Sequence, residues 1–286
     1  IQVLEVPDGE RLSDAIAERQ TALLDLANSA HPSLIAAGGG ARGLSVRALP
    51  STDSEDPVGD MWIVEILVDV QDAMGANAIN SMCERLAPEI EELSEGRVNL
   101  RILSNLTDMR TVRARGRIPL SLLSPADPAL GATLAGRMVE ASVFAERDPH
   151  RGVDAVLLAF GQDTRAVEAG AHAFAARGGR YTALSRLRVE DQHLSCELEL
   201  PMAVGTVGGA SRAHPLVLVA RQIAGVTRAS ELASIAAAVG LAQNLAALKA
   251  LAGEGIQSGH MRLHARKTTP PPAWELGVEH RSRRAS

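Results

Sequence analysis

Aromatic side chains are nearly absent from this sequence. Phe, Trp and Tyr make up 2% of its 286 residues, too few for the platforms on which nucleic-acid bases stack. Lysine is scarcer still: Lys249 and Lys267 are the only two, so 27 of the 29 basic residues are arginines. Chemistry that needs a lysine amine has two candidates. Net charge is −5, with no basic block outside the last few residues, which argues against nucleic acid as a partner. The two cysteines, Cys83 and Cys196, fall in separate expected elements and point to a reducing cytoplasm. No apolar run reaches membrane-spanning length and no signal peptide is seen, so no membrane association is expected. The chain opens at Ile1 inside what reads as a strand, and is expected to be a piece of something longer.

What is present is ample apolar material. Hydrophobic content is 46% over a length sufficient for two domains with their own cores. Residues 1–6 alternate like a strand. Asp8 offers a helix cap, with Glu10 in the first turn and an apolar stripe of Leu12, Ile16, Leu23 and Ala27. That helix is expected to end near Asn28, with His31-Pro32 preventing its continuation. A Gly38-Gly39-Gly40 turn, a strand at 44–49 and an acidic surface loop at 50–60 follow.

The stretch 62–93 organises the first part. Trp62, Val64, Ile66, Val68 and Val70 form an apolar set at period two, the signature of a strand with one buried face. Residues 72–77 then break the pattern, and Ile79, Met82, Leu86, Ile90 and Leu93 recur at helical spacing. A strand turning sharply into a helix aims unpaired backbone N–H groups above the corner, where an anion such as phosphate is favoured. The plainer alternative is that Asp72 and Asn77 merely cap the turn. With a fourth strand at 98–103, the order is strand, helix, strand, strand, helix, strand. That is the ferredoxin-like split β-α-β arrangement, within an α+β fold.

The second part is expected to be a larger mixed α/β domain rich in helices. Residues 110–117 read as a basic helix or connector, 130–145 as a close-packing Ala- and Gly-rich segment, and 153–160 as a strand buried on both faces. Asp163 opens a helix to Arg177, and 182–189 with 193–200 suggest a hairpin. Helices from Pro215 and from 230 to about 251 complete it. The boundaries are 1–108 for the small domain, 109–266 for the larger and 267–286 for a disordered tail.

Several blocks carry more than a pattern. Leu-Val-Asp-Val-Gln-Asp-Ala-Met-Gly-Ala-Asn-Ala-Ile-Asn (67–80) and Arg-Ile-Leu-Ser-Asn-Leu-Thr-Asp (101–108) resemble class II hydroxymethylglutaryl-CoA reductase. So do Glu-Ala-Gly-Ala-His-Ala-Phe-Ala-Ala-Arg (168–177), Leu-Pro-Met-Ala-Val-Gly-Thr-Val-Gly-Gly (200–209) and Val-Gly-Leu-Ala-Gln-Asn-Leu (239–245). Glu-Gly-Ile-Gln-Ser-Gly-His-Met-Arg-Leu-His-Ala (254–265) completes the set, in the family's order and spacing.

The resemblance implies an oxidoreductase interconverting hydroxymethylglutaryl-CoA and mevalonate plus CoA with two NAD(P)H, in isoprenoid metabolism. The cofactor-binding residues it implies are Asp72, Ala73, Met74, Gly75 and Asn77 of the corner, with Asn105. The assembly it implies is a homodimer or a set of dimers with shared sites. Hydride addition to a thioester builds charge on the carbonyl oxygen, and the departing thiolate needs a proton. His260 matches the family's thiolate-protonating histidine, although alone it reads as a surface histidine. Asp163 matches the catalytic aspartate and reads equally as a helix cap. Arg151 matches the arginine on the substrate carboxylate, for which a bidentate guanidinium is suited. His260 and His264 stand four apart, but no third ligand is evident, so no metal is expected. His31 lies where NAD-preferring members carry an acidic residue, which favours NADP over NAD.

The chain also departs from the family. Arg151 runs directly into Gly152-Val153-Asp154, without the expected Thr-His-Asn-Lys-Gly-Ile-Met-Asn-Gly segment whose lysine stabilises the oxyanion. The family's Gly-Asn-Asp is Gly161-Gln162-Asp163 here. The glutamate-bearing upstream region and the C-terminal flap are likewise unmatched. A poor catalyst is therefore expected. The alternative is an inactive relative that binds NAD(P) or CoA, or serves in a mixed assembly.

Overall fold

The computed structural model describes residues 1–52, 58–145, 154–208 and 214–253. Arg151, His260 and the expected disordered tail at 267–286 lie outside the described residues.

The fold is α+β, built on two antiparallel sheets. The first contains β1 (Gln2–Leu4), β2 (Gly40–Leu49), β3 (Met61–Asp69) and β4 (Arg97–Val98), in the order β2-β3-β1-β4. Helices α1 (Gly9–Glu18), α2 (Gln20–Asn28), α3 (Pro32–Ala36) and α4 (Ala76–Ser94) accompany it. Val64 on β3 is fully buried, and Trp62, Ile66 and Val68 pack against the same core, so the period-two set faces inward. Leu12, Ile16 and Leu23 meet Met82, Leu86 and Ile90 of α4 there.

Three expectations for this half need adjusting. The helix from Asp8 bends at Arg19, whose guanidinium pairs with Glu89 of α4 at 3.0 Å. Pro32 does not only end a helix. It begins α3, at a first-turn position where its missing N–H is no loss. The fourth strand is two residues rather than six, because its partner β1 is itself only three residues long.

The second sheet contains β5 (Thr111–Pro119), β6 (Ser185–Glu190) and β7 (His193–Pro201), in the order β5-β7-β6. The expected hairpin is β6–β7, closed by Asp191 and Gln192, both at positive φ as a two-residue turn of this hand requires. Segment 110–117, read as helix or connector, is instead mostly strand β5. Its arginines alternate with Val112, Ala114, Gly116 and Ile118, and Arg113 and Arg115 pair across the sheet with Glu199 and Glu197.

Around this sheet lie α5 (Leu120–Leu123), α6 (Pro128–Ala145), α7 (Asp154–Ala159), α8 (Thr164–Ala176), α9 (Pro215–Ala224) and α10 (Ala229–Ala252). The run read as a doubly buried strand forms α7. Its Leu157 is buried while Leu158 is 75% exposed, and an apolar run of that length does not distinguish strand from helix. Helix α10, at 24 residues and mean hydropathy 1.5, is long and apolar enough to cross a membrane by length and composition. The scattered polar residues Glu231, Gln243, Asn244 and Lys249 hide that length from a search for unbroken runs. In the fold it packs against α6, β5 and β7, burying Leu232, Ala236, Ala237 and Leu241 in the second core. The two cores are separate, one drawn from residues 1–98 and the other from 112–252. Cys83 and Cys196 are free thiols, one in each.

Candidate functional site

Strand β3 delivers the chain to the corner at 70–75, where the two halves of the molecule meet. Gly75 sits at φ 101, a left-handed conformation, and an added Cβ would come within 2.5 Å of Val70. Only glycine fits. Among the described residues no side chain caps α4, whose first turn follows directly, and Asn77 is exposed within that turn. The turn-capping expectation for Asp72 and Asn77 thus needs correcting. Asp72 does cap a helix, but the distant one: its Oδ1 accepts from the N–H of Ala229 at 2.7 Å, at the start of α10. The reason is tertiary, since 157 residues separate the partners.

The far wall is the segment 203–208. The N–H of Thr206 donates to the Asp72 carbonyl at 2.8 Å, and Ala73 forms a parallel bridge with Val207. Gly205 approaches so closely that an added Cβ would stand 2.6 Å from the nitrogen of Met74. Arg110 closes the joint. Its Nη1 donates to the Met74 carbonyl at 2.8 Å, and its Nη2 to the carbonyls of Ala73 at 2.9 Å and Val204 at 2.7 Å. Burial pushes this guanidinium below its ordinary pKa, while Asp69 and Asp72 oppose the shift. A cavity of about 370 Å³ opens beside it, lined among others by Asp72, Arg110, Arg228 and Ser230.

Asp163 belongs to the same neighbourhood through the residue before it. Gln162 donates its Nε2 to the Gly205 carbonyl at 3.0 Å and accepts from the Gly205 N–H at 2.8 Å. Asp163 itself caps α8, accepting from the N–H of Arg165 at 3.0 Å, and the Arg165 guanidinium takes both carboxylate oxygens. That pairing holds its carboxyl below the usual carboxylate range.

Asn105 is exposed on the 99–110 connection, with its carbonyl beside Gly170 of α8. Asn80 of α4 accepts from the N–H of Leu103 at 2.8 Å, so this connection touches both halves. His31 lies just before α3, and the turn after α3 brings Gly39 against the carbonyl of Asp69, at the corner's end of the first sheet. Two buried polar atoms, His31 Nε2 and Thr206 Oγ1, have no hydrogen-bond partner among the described residues. Among the described residues no group of three or more His, Cys, Asp or Glu could hold a metal. The Gly-Thr-Val-Gly-Gly run is the sequence signal for Thr206, and Gly161-Gln162-Asp163 in place of the family's Gly-Asn-Asp is the signal for Gln162, whereas only contact across the fold singles out Arg110.

The sequence model of the family described as hydroxymethylglutaryl-coenzyme A reductase matches residues 1–265. The chain belongs to that family. It is 42% identical over 277 residues to the 3-hydroxy-3-methylglutaryl-coenzyme A reductase of Archaeoglobus fulgidus, covering 93% of this chain and 61% of that protein. A probable reductase of the same name from Borreliella burgdorferi is 36% identical over 239 residues, covering 80% and 54%. The chain therefore spans under two thirds of the length of these relatives. Among solved structures, the class II reductase of Streptococcus pneumoniae superposes with a TM-score of 0.84 at 42% identity, covering 93% of this chain and 64% of that one. The structure of that reductase bound to NADPH in open conformations gives 0.83 at 41% identity, covering 88% and 70%.

Proposed function

We propose that this chain is the dinucleotide-binding lobe and part of the substrate-binding lobe of a reductase that interconverts hydroxymethylglutaryl-CoA and mevalonate plus CoA. The observation that carries the reading is the run of contacts from the corner through Gly205 to Gln162, beside Asp163. It links the start of α4 to the buried Thr206 hydroxyl and, through Gln162, to the residue that precedes Asp163. The donor set fits a nicotinamide dinucleotide: the first-turn N–H groups of α4 for the pyrophosphate, with Met74, Gly75, Asn77, Asn105 and Thr206 around it. Bound there, the dinucleotide supplies hydride chemistry. His31 supports NADP, since its partnerless Nε2 suits a 2′-phosphate when protonated. The NADPH-bound relative supports the same choice. By the family motifs Asp163 serves as the catalytic aspartate, Arg151 holds the substrate carboxylate and His260 returns a proton to the thiolate.

The lobes are read as a ferredoxin-like domain at 1–108 and the larger domain at 109–266. The order β2-β3-β1-β4 and the two separate cores support that division. A homodimer or assembly of dimers in the cytoplasm completes the reading. One observation favours the inactive-relative alternative. Lys249 stands 20 residues along α10 from Ala229, about 30 Å at 1.5 Å per residue, so it does not supply an oxyanion partner beside the corner.

The test is reduction of NADP or NAD by the purified chain with mevalonate and CoA, alongside titration of reduced dinucleotide by fluorescence. Turnover establishes the reductase. Binding without turnover leaves the dinucleotide-binding relative, and the absence of both overturns the reading.

A further inference from the structure

Arg110 is an unusual use of an arginine. It is a partly buried cation whose three side-chain hydrogen bonds among the described residues all go to backbone carbonyls, with no carboxylate among them. Burying a charge without a hydrogen-bonded counter-ion is unfavourable unless its donors are well satisfied. The acceptors come from two segments far apart in the chain, the corner at Ala73 and Met74 and the strand exit at Val204. The main chain of Arg110 is tied down as well: its N–H donates to Thr107 at 3.0 Å and its carbonyl accepts from Met202 at 3.1 Å. The planar fork of a guanidinium can meet three such acceptors at once, which an ammonium on a flexible stem cannot do with equal order.

The geometry has a directional consequence. A trans peptide points its C=O and N–H to opposite sides. With the carbonyls of Ala73 and Met74 drawn to Arg110, the N–H groups of Met74 and Gly75, which belong to the same two peptides, face away from it. We propose that Arg110 is the positioning residue of the corner: one guanidinium bonds the carbonyls of Ala73, Met74 and Val204 and so presets the backbone donors that receive an anionic ligand. This inference rests on the dinucleotide reading. It adds that the donors are held ready by a residue that never touches the ligand, so that binding carries little ordering cost.

The experiment compares NADPH binding by the wild-type chain, Arg110→Ala, Arg110→Lys and, as a surface control, Arg113→Ala. The cavity of about 370 Å³ beside Arg110 gives a free guanidinium ion a route to the vacated position. The expected result is that Arg110→Ala weakens binding about tenfold or more, that Arg110→Lys restores little, and that millimolar guanidinium restores most of the loss where the same concentration of sodium does not. Arg113→Ala is expected to bind as the wild type does. Rescue by the ion separates positioning from general damage, and if Arg110→Ala does not fold, Arg110→Lys with guanidinium carries the same comparison. Equal affinity in wild type and both Arg110 variants, or a loss that guanidinium leaves unchanged, overturns the inference while sparing the dinucleotide reading. Failure of the wild type itself to bind NADPH removes both.

Discussion

Replacing Gly205 with alanine adds one methyl group at the tightest point between the two halves. The new Cβ would lie 2.6 Å from the nitrogen of Met74, 3.1 Å from the carbonyl carbon of Ala73 and 3.2 Å from the oxygen of Asp72. All three are backbone atoms, so no side chain can swing aside. Ordinary contact begins near 3.4 Å, and the corner would have to retreat by about 0.8 Å. That retreat stretches the 2.8 Å bond from Thr206 to Asp72 and loosens the Arg110 fork. Overpacking of this kind costs about 1–3 kcal/mol, and a domain of roughly this size loses about 2–4 °C in Tm per kcal/mol. Gly136, inside α6, makes a matched comparison because an added Cβ there meets nothing within 4 Å. Gly136→Ala should stabilise by about 0.5–1 kcal/mol, the helix-interior penalty of glycine. Urea and thermal unfolding of both variants read the contrast directly, and NADPH titration adds the functional arm. Gly205→Ala as stable and as tightly binding as the parent would refute the close joint on which the site rests.

Two further outcomes follow from caps on α10. Asp72→Ala should cost about 0.5–2 kcal/mol in urea unfolding, the value of an N-cap acceptor, whereas Asp72→Asn, which keeps an oxygen for Ala229, should cost far less. Glu231 accepts from the N–H groups of Thr227 and Arg228 and from the Thr227 hydroxyl, which lowers its pKa from 4.5 to about 2. Its contribution to stability is therefore fully present above pH 4.5 and is lost as pH falls toward 2. Glu231→Gln should lower Tm at neutral pH and converge on the parent as the pH is lowered through that window. A gap that stays constant down to pH 2 would count against the cap.

Much of the scaffold was readable from residue order alone, wherever local pattern and local structure share a cause. Val64 is buried because it belongs to a period-two apolar set, Asp163 caps α8 because a short carboxylate before a helical stripe satisfies its first N–H groups, and Asp191-Gln192 closes a hairpin because two strands flank a turn of fitting length. Family motifs marked the corner for the same reason, since its glycine answers to a local φ. The misreadings occurred where local pattern was ambiguous. The 153–160 run has the same apolar profile as strand or helix, and β5 looked like a polar connector because its paired glutamates lie more than 80 residues away.

Tertiary structure decided who partners whom at the site. Nothing in the order of residues says that Asp72 caps a helix 157 positions later, that Arg110 reaches both the corner and Val204, or that Gln162 docks on Gly205. Those contacts arise when two separately patterned cores are pressed together. Backbone carbonyls, which every residue carries and no motif encodes, then become the acceptors that the partly buried guanidinium of Arg110 must find.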